Sequence, residues 1–374
     1  MDLQPNSISR SFDQLEDFRI ERTKRHKLID IVFISLCATL CGYEGWEEIE
    51  LFAKVKADWL GKFLELPNGI PSHDTIRRVF MHLDPSAFHR CFSGWVEGLG
   101  LPLGNQVVAI DGKTIRGSRC SAKGKSAIHM VSAWACDHET VLGQIKVDDK
   151  SNEITAIPDL LETLMLEGSV VTIDAMGCQK TIARQIIDQK ADYLFGLKGN
   201  QGKLREEVQD FFHTAQAQGF LQLPYSDHNE VDAGHGRIEE RHCFAVSCDY
   251  IEAAHGWCGA KSVVMLNSRR WIRNELQTET RYYLSSLPPD AERIAPAIRS
   301  HWSIENSLHW CLDVGFNEDA CGIYAGNAAE NLSTLRHFAI NLVKADKKRK
   351  GGIARKRKLA AIDDGYLETL LMGR

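Results

Sequence analysis

Residues 107–118, VVAIDGKTIRGS, and 169–180, SVVTIDAMGCQK, decide the fold. In each, a short apolar run leads into one aspartate, Asp111 or Asp174, and then into a glycine or a turn. Such runs read as buried strands. An aspartate at the C-terminal side of one needs a reason, because an unpaired charge beside a core is costly. Taken singly, each carboxylate has blander readings: strand-end aspartates occur in phosphatases and kinases of other α/β folds, some cap turns, and Asp174 is placed to cap the helix that follows. If the two strands are neighbours, their spacing of ~4.8 Å brings both carboxylates within reach of a pair of cations ~3.5–4 Å apart.

Working outward, residues 106–115, 126–136 and 140–148 read as three consecutive strands. A helix pattern over 153–166, a strand over 169–175, a helix over 178–190 and a strand over 191–199 follow. Three strands and then an alternation predict a mixed α/β sheet in the order of a ribonuclease H-like fold. Residues 200 to about 285 interrupt it with a helix, GKLREEVQDFFHTA, and β-like pieces RIEERHCFAVS, KSVVMLN and RYYLSSL. A further helix resumes after Pro296, a residue tolerated in a first turn. No internal repeat or low-complexity linker is present.

Residues 1 to about 95 read as a helical domain. Lys27–Gly42 and Trp46–Leu64 carry apolar residues at three and four spacing, and a turn at 66–69 precedes a helix capped by Ser72 or Asp74. Arg77 and Arg78 near its start suggest a recognition helix that contacts DNA; a packed helical hairpin has the same pattern. The apolar run Leu28–Cys41 contains Asp30 and falls short of the ~20 residues of a membrane span, so it reads as a buried helix.

Glu305 lies in HWSIENSLHWCLDVGFNED, residues 301–319. Ile294, Ile298, Trp302, Leu308 and Leu312 recur at helical spacing, and Glu305 falls within that apolar stripe. A carboxylate there needs a metal or a partner, with Arg299, His301 and His309 as the partners available. His301 and His309 are eight apart with no H-E-x-x-H, which speaks against zinc. Three carboxylates so distributed point to two-metal phosphoryl transfer, since a phosphodiester and its attacking oxygen are both anionic.

The chain has 374 residues, 44% hydrophobic and 25% charged, with net charge −5. These are globular values and exclude a disordered protein. The acidic balance argues against uniform adhesion to nucleic acid, while the basic run Lys344–Lys358, KADKKRKGGIARKRK, reads as a solvated tail or a phosphate-contacting arm. Eleven scattered cysteines without a C-x-x-C pair read as reduced core residues of a cytoplasmic protein. The polar N-terminus argues against secretion.

The blocks AIDGKTIRGS, TIDAMGCQKTIA, ADYLFGLKGNQ, GHGRIEER, YYLSSL and HWSIENSLHWCLDV-F-NEDA, in this order, resemble insertion-sequence DDE transposases of the ISAs type, in the H-repeat-associated branch. The resemblance covers nearly the whole chain. It implies a ribonuclease H-like catalytic domain over 105–343 with a β-rich insertion at about 200–285, a helical DNA-end-binding domain over 1–95, and a basic C-terminal segment over 344–374. It implies Asp111, Asp174 and Glu305 as catalytic metal ligands for Mg²⁺, with Mn²⁺ as substitute. Relatives carry a tyrosine seven before this glutamate, an arginine four before and a lysine seven after; here Ile298, His301 and Leu312 stand there. Candidate DNA contacts are Arg77, Arg78, Lys113, Arg116, Lys198, Arg299 and His301. The implied activity is cleavage at transposon ends and strand transfer into target DNA, by a homodimer or higher assembly on double-stranded DNA, in the cytoplasm at the nucleoid and without a membrane. The main rival is a catalytically decayed relic that only binds DNA, a reading suggested by the stretch EDACGIYAGNAAEN, which is poor in basic residues.

Overall fold

The computed structural model describes residues 6–13, 15–148, 151–234, 237–272 and 275–372. The chain opens with helices α1 (Asn6–Ser11), α2 (Leu28–Leu40), α3 (Trp46–Val55), α4 (Ala57–Leu60), α5 (His73–His82) and α6 (Pro85–Gly98). Nearly every residue of α2 is buried, as the uninterrupted apolar run requires. Ser72 caps α5 by accepting the Thr75 N–H at 3.4 Å, and Arg77 and Arg78 lie on its exposed side.

Strands β1 (Val107–Ile115), β2 (Ile128–Ala135) and β3 (Thr140–Val147) form an antiparallel meander. Then come α7 (Glu153–Glu162), β4 (Val170–Ile173), α8 (Lys180–Asp188) and β5 (Asp192–Leu197), with β1, β4 and β5 parallel. After α9 (Gly202–Ala217) come four long strands, β6 (Tyr225–Gly234), β7 (Arg237–Ser247), β8 (Ser262–Ile272) and β9 (Glu275–Ser285). They do not interrupt the sheet. β9 pairs with β5, from Leu194 opposite Ser285 to Leu197 opposite Tyr282, giving one nine-stranded sheet in the order β3-β2-β1-β4-β5-β9-β8-β7-β6. β6, YSDHNEVDAG, carries no apolar alternation, because it is a largely solvent-exposed edge strand with charged side chains. Within GHGRIEER, His235 and Gly236 lie outside the described residues.

Helix α10 (Ala291–His301) packs one face on β4, β5, β7 and β8 through Ile294, Ala297 and Ile298. It begins before Pro296 rather than after it, because Asp290 accepts the Arg293 N–H at 3.2 Å and sets the start; Pro296 lies inside the helix. The chain continues through α11 (Trp310–Phe316), α12 (Ala328–Ala345), α13 (Ile353–Ile362) and α14 (Asp364–Met372). α12 is buried along most of its length and packs against α2, α5, α6 and β3. Asn341 donates to Val141 O at 2.9 Å and accepts its N–H at 2.8 Å, so α12 covers the edge of β3. One hydrophobic core runs from Ile8 to Leu371, so the helical N-terminal region shares its interior with the later helices. None of the eleven cysteines is in a disulfide. Among the described residues no helix is long and apolar enough to cross a membrane.

The basic run 344–358 is neither a tail nor a free arm. It forms the end of α12 and most of α13, and Arg357 is buried against Thr39 O at 2.6 Å and Glu44 at 2.6 Å. Glu44 also holds Arg336 at 3.0 Å, and Arg336 reaches Glu318 at 3.5 Å. This buried charge chain ties α12 and α13 to the loop after α2. Removing one member strands the others in a low-dielectric interior. Arg336→Ala is therefore expected to cost about 3–5 kcal/mol in urea unfolding; a loss below about 1 kcal/mol would show that water already compensates these carboxylates.

Candidate active site

Val107 stands opposite Val170, and Ile110 opposite Ile173. One residue further, Asp111 and Asp174 follow on adjacent strands. By the alternation of a strand they share the face of Val107, Val170 and Leu194, on which α10 lies. Asp174 also accepts the Met176 N–H at 2.9 Å. It thus caps the turn before α8 and not α8 itself, which begins at Lys180 after Gln179.

Glu305 arrives from above that face. Between α10 and α11 the backbone opens into a π-helical turn, Ile304–His309, in which the Trp310 N–H donates to the Glu305 carbonyl. The wider turn drives Ile304 and Leu308 inward and leaves Trp302, Glu305 and Asn306 exposed. Glu305 is thus not in the buried stripe that regular helical spacing predicts. It lines a cavity of about 490 Å³ together with Asp111 and Asp174. Lys198, Arg205 and Arg281 stand in the same walls.

Burial pushes the Asp111 carboxyl up to about 7, against a lowering hydrogen bond from Gly112 N–H; the nearby carboxylates Glu153, Asp174 and Glu305 push it further up. His309 Nδ1 lies 3.6 Å from Asp111 Oδ2, but burial holds that imidazole down to about 4. At neutral pH His309 is uncharged and the contact is no ion pair. Its Nε2 is buried without a hydrogen-bond partner. Among the described residues no lysine or arginine forms an ion pair with Asp111, Asp174 or Glu305. Their donor chemistry suits a hard divalent cation. They line one cavity, but among the described residues no three His, Cys, Asp or Glu side chains stand close enough together to hold a metal ion as they are placed here.

At Gly112 a Cβ would overlap the Glu153 carboxyl and the end of the His129 ring, which pair at 2.6 Å, so a larger residue there would have to displace that pair. Glu153 escapes a sequence reading because an acid in a helix's first turn is ordinary. Arg205 and Arg281 are missed too. Arg281 is held by Glu279 at 2.7 and 2.9 Å and stacks on the Trp302 ring at 4.8 Å; only its place beside YYLSSL hinted at it.

The expected DNA contacts divide. Lys198 and His301 line the cavity. His301 is bonded to Thr172 Oγ1 at 3.0 Å, and burial holds it down to about 4. Lys113 is not available: its side chain is 10% exposed and paired with Asp313 at 2.7 Å, Glu318 at 3.0 Å and Asp319 at 3.3 Å. Arg116 is exposed, 3.5 Å from Asp319. Arg299 bridges α10 to β6 through Glu230 and Asp232, each at 2.5 Å. Arg77 is paired with Asp74 at 2.9 Å on α5, away from the cavity lining. Ile298 and Leu312 are buried in the core, where no charged or hydroxyl group would be accommodated without a partner.

Two family models match the chain. Residues 9–96 match the DDE_Tnp_1-associated family, and residues 102–342 match the Transposase DDE domain. The chain is 43% identical over 368 residues to the "H repeat-associated putative transposase YhhI" of Escherichia coli K12, covering 96% of each chain. It is 44% identical over 362 residues to the "Putative transposase YncI" of Escherichia coli O157:H7, covering 96% of this chain and 92% of that protein. A shorter match, 46% identical over 63 residues, is to "Inactive transposase YbfQ" of Escherichia coli K12, covering 17% of this chain and 75% of that protein. The chain belongs to the DDE transposase family, with the associated domain of that family at its N-terminal side.

Proposed function

We propose that this protein is an active transposase that cleaves DNA at the ends of its element and joins them to target DNA, with Asp111, Asp174 and Glu305 as the acidic triad of a ribonuclease H-like core. The observation that carries this reading is the convergence of those three carboxylates, from two strands and a helix far apart in sequence, on one cavity with Lys198, Arg205 and Arg281. The strand order β3-β2-β1-β4-β5, with the meander antiparallel and the rest parallel, supports the fold assignment. A relic that only binds DNA would not need three carboxylates lining one cavity with no lysine or arginine ion-paired to any of them among the described residues, a costly arrangement.

Asp111, Asp174 and Glu305 would hold Mg²⁺, which when bound would activate an attacking oxygen and stabilise a leaving one. The chain's own residues set the rest of the geometry. The Glu153–His129 pair packs against Gly112 beside Asp111, and Asp174 is held by the Met176 N–H. Lys198 and Arg205 bring positive charge to a cavity whose carboxylates would otherwise repel a phosphodiester. His301, neutral and tied to Thr172, packs under the cavity without adding charge.

Asp111→Ala, Asp174→Ala and Glu305→Ala are each expected to reduce Mg²⁺-dependent nicking and joining of element ends by at least about 10³-fold, the non-additive behaviour of groups that act as a unit. End binding should remain within about threefold. Substantial cleavage by Glu305→Ala would sink its assignment.

A second test uses stability. A carboxyl at about 7 in the folded protein, against an ordinary 3.8, favours the protonated folded state. Metal-free protein should therefore lose stability as pH rises from about 4 to about 7, by up to roughly 4 kcal/mol from this group. Asp111→Asn should flatten that slope, and Mg²⁺ should raise the melting temperature of the wild type at pH 8 more than that of the variant. Equal Mg²⁺ responses would argue against Asp111 as a ligand.

A further inference from the structure

The segment that carries Glu305 is pinned to the sheet on both sides of β1. The Trp134 Nε1–H on β2 donates to Ser303 Oγ at 3.1 Å, and His301 at the end of α10 is bonded to Thr172 Oγ1 on β4 at 3.0 Å. Trp134 and Thr172 both stand opposite Ala109 of β1. Asp111 follows Ala109 by two residues and so lies on the same face. The last residue of the π-helical turn, His309, reaches β1 there, with Nδ1 3.6 Å from Asp111 Oδ2 and the side chain 12% exposed.

The two ring nitrogens of His309 have different surroundings. Nδ1 faces the carboxylate, whereas Nε2 is buried without a hydrogen-bond partner. An uncharged imidazole carries its proton on one of them. On Nε2 the proton would be a buried donor with nothing to accept it, and Nδ1 would turn a lone pair on those of Asp111. On Nδ1 it points at Asp111 and leaves only a bare lone pair in the interior. Both ends of the ring therefore favour the Nδ1–H tautomer. A lysine in this place would act differently, as Lys113 on the same side of β1 shows: it is engaged by Asp313, Glu318 and Asp319 and balances their charge. An N–H without net charge orients a carboxylate and leaves its charge to a cation.

We infer that His309 is a positioning residue for the acidic triad, its Nδ1–H closing on Asp111 Oδ2 when a divalent cation binds and fixing which carboxylate oxygen is turned to the ion. The inference rests on the proposed function, in which Asp111 is a metal ligand. At 3.6 Å the bond is not made, and a shift of about 0.6 Å completes it. The carboxylates must draw together in any case to hold an ion. Glu305 and His309 belong to one π-helical turn, so a movement of that turn shifts both against Asp111.

Mn²⁺ binding to the full-length protein without DNA would be followed by the electron paramagnetic resonance signal of the free ion. His309→Leu is expected to weaken Mn²⁺ binding by about 10–100-fold, the usual effect of removing a hydrogen bond to a ligating group. The amide nitrogen of asparagine can take the place of Nδ1, and that of glutamine the place of Nε2. His309→Asn should therefore bind Mn²⁺ within about threefold of wild type, while His309→Gln should resemble His309→Leu. A core histidine with no part in the site would give all three variants one Mn²⁺ affinity, whatever their urea midpoints. If His309→Leu does not fold, the comparison of the asparagine and glutamine variants decides alone. Wild-type affinity in His309→Leu, or equal affinities in His309→Asn and His309→Gln, would overturn the proposal. Asp111→Asn in the same titration separates it from the reading beneath it. Wild-type Mn²⁺ affinity in that protein removes the triad and this role with it, whereas lost binding there beside wild-type affinity in His309→Leu removes the role of His309 alone.

Discussion

The site depends on the register of β1 against β4. Parallel neighbours with Ile110 opposite Ile173 place the next residue of each strand at adjacent ends of the sheet, on one face. A slip by one residue would send one aspartate to the opposite face, because strand side chains alternate. The register is held by what lies beneath. Val108, Ile110, Val171 and Ile173 bury on the side of α7 and α8, and Val170 and Leu194 bury under α10. Two-sided burial makes slippage expensive, so the hydrophobic core sets the spacing of the carboxylates.

The same face holds a second set of charges under different rules. Lys113, on the same side of β1 as Asp111, meets Asp313, Glu318 and Asp319 and is nearly buried. Glu318 passes the chain of charges to Arg336 and so to Glu44 and Arg357. Charge is matched there and helices are fixed by it. At Asp111, Asp174 and Glu305 like charge is gathered with Lys198, Arg205 and Arg281 in the same walls, and among the described residues no lysine or arginine is ion-paired to any of the three. That contrast on one strand sets a structural charge cluster beside a cavity whose carboxylates are left without ion pairs among the described residues, the pattern of a candidate site.

Much of this was legible in sequence, for identifiable reasons. β1 to β5 bury both faces, so their apolar runs are continuous and bounded by turns. α2 is legible in the same way. The helical segment around Glu305 was legible but the direction of its side chain was not, because a π-helical turn resets the helical phase and no residue type announces one. Lys113 looked like a DNA contact since its three acidic partners lie some 200 residues away in sequence. The basic run looked like a tail because Arg357 finds Glu44 only after α13 has docked beside α2. β6 escaped notice because an exposed edge strand needs no apolar alternation, and without β6 and the β5–β9 pairing nothing in the sequence showed that the β-rich segment between β5 and α10 also extends the sheet.

The extension matters to the site as well as to the fold. Gly196 on β5 stands opposite Tyr283 on β9, and the β9 residues Glu279 to Tyr283 make part of the cavity wall. Arg281, two residues before Tyr283 on the same strand, stacks on Trp302 at the end of α10. It thereby joins the sheet's added half to the segment that carries Glu305. Arg299 makes a second such joint, from α10 to β6. The helix that leads into the turn carrying Glu305 is thus clamped at both edges by arginines from or onto strands beyond β5. A five-stranded sheet alone would leave α10 held by its apolar face only, free to roll about its axis, and Glu305 would lose its fixed position relative to Asp111 and Asp174.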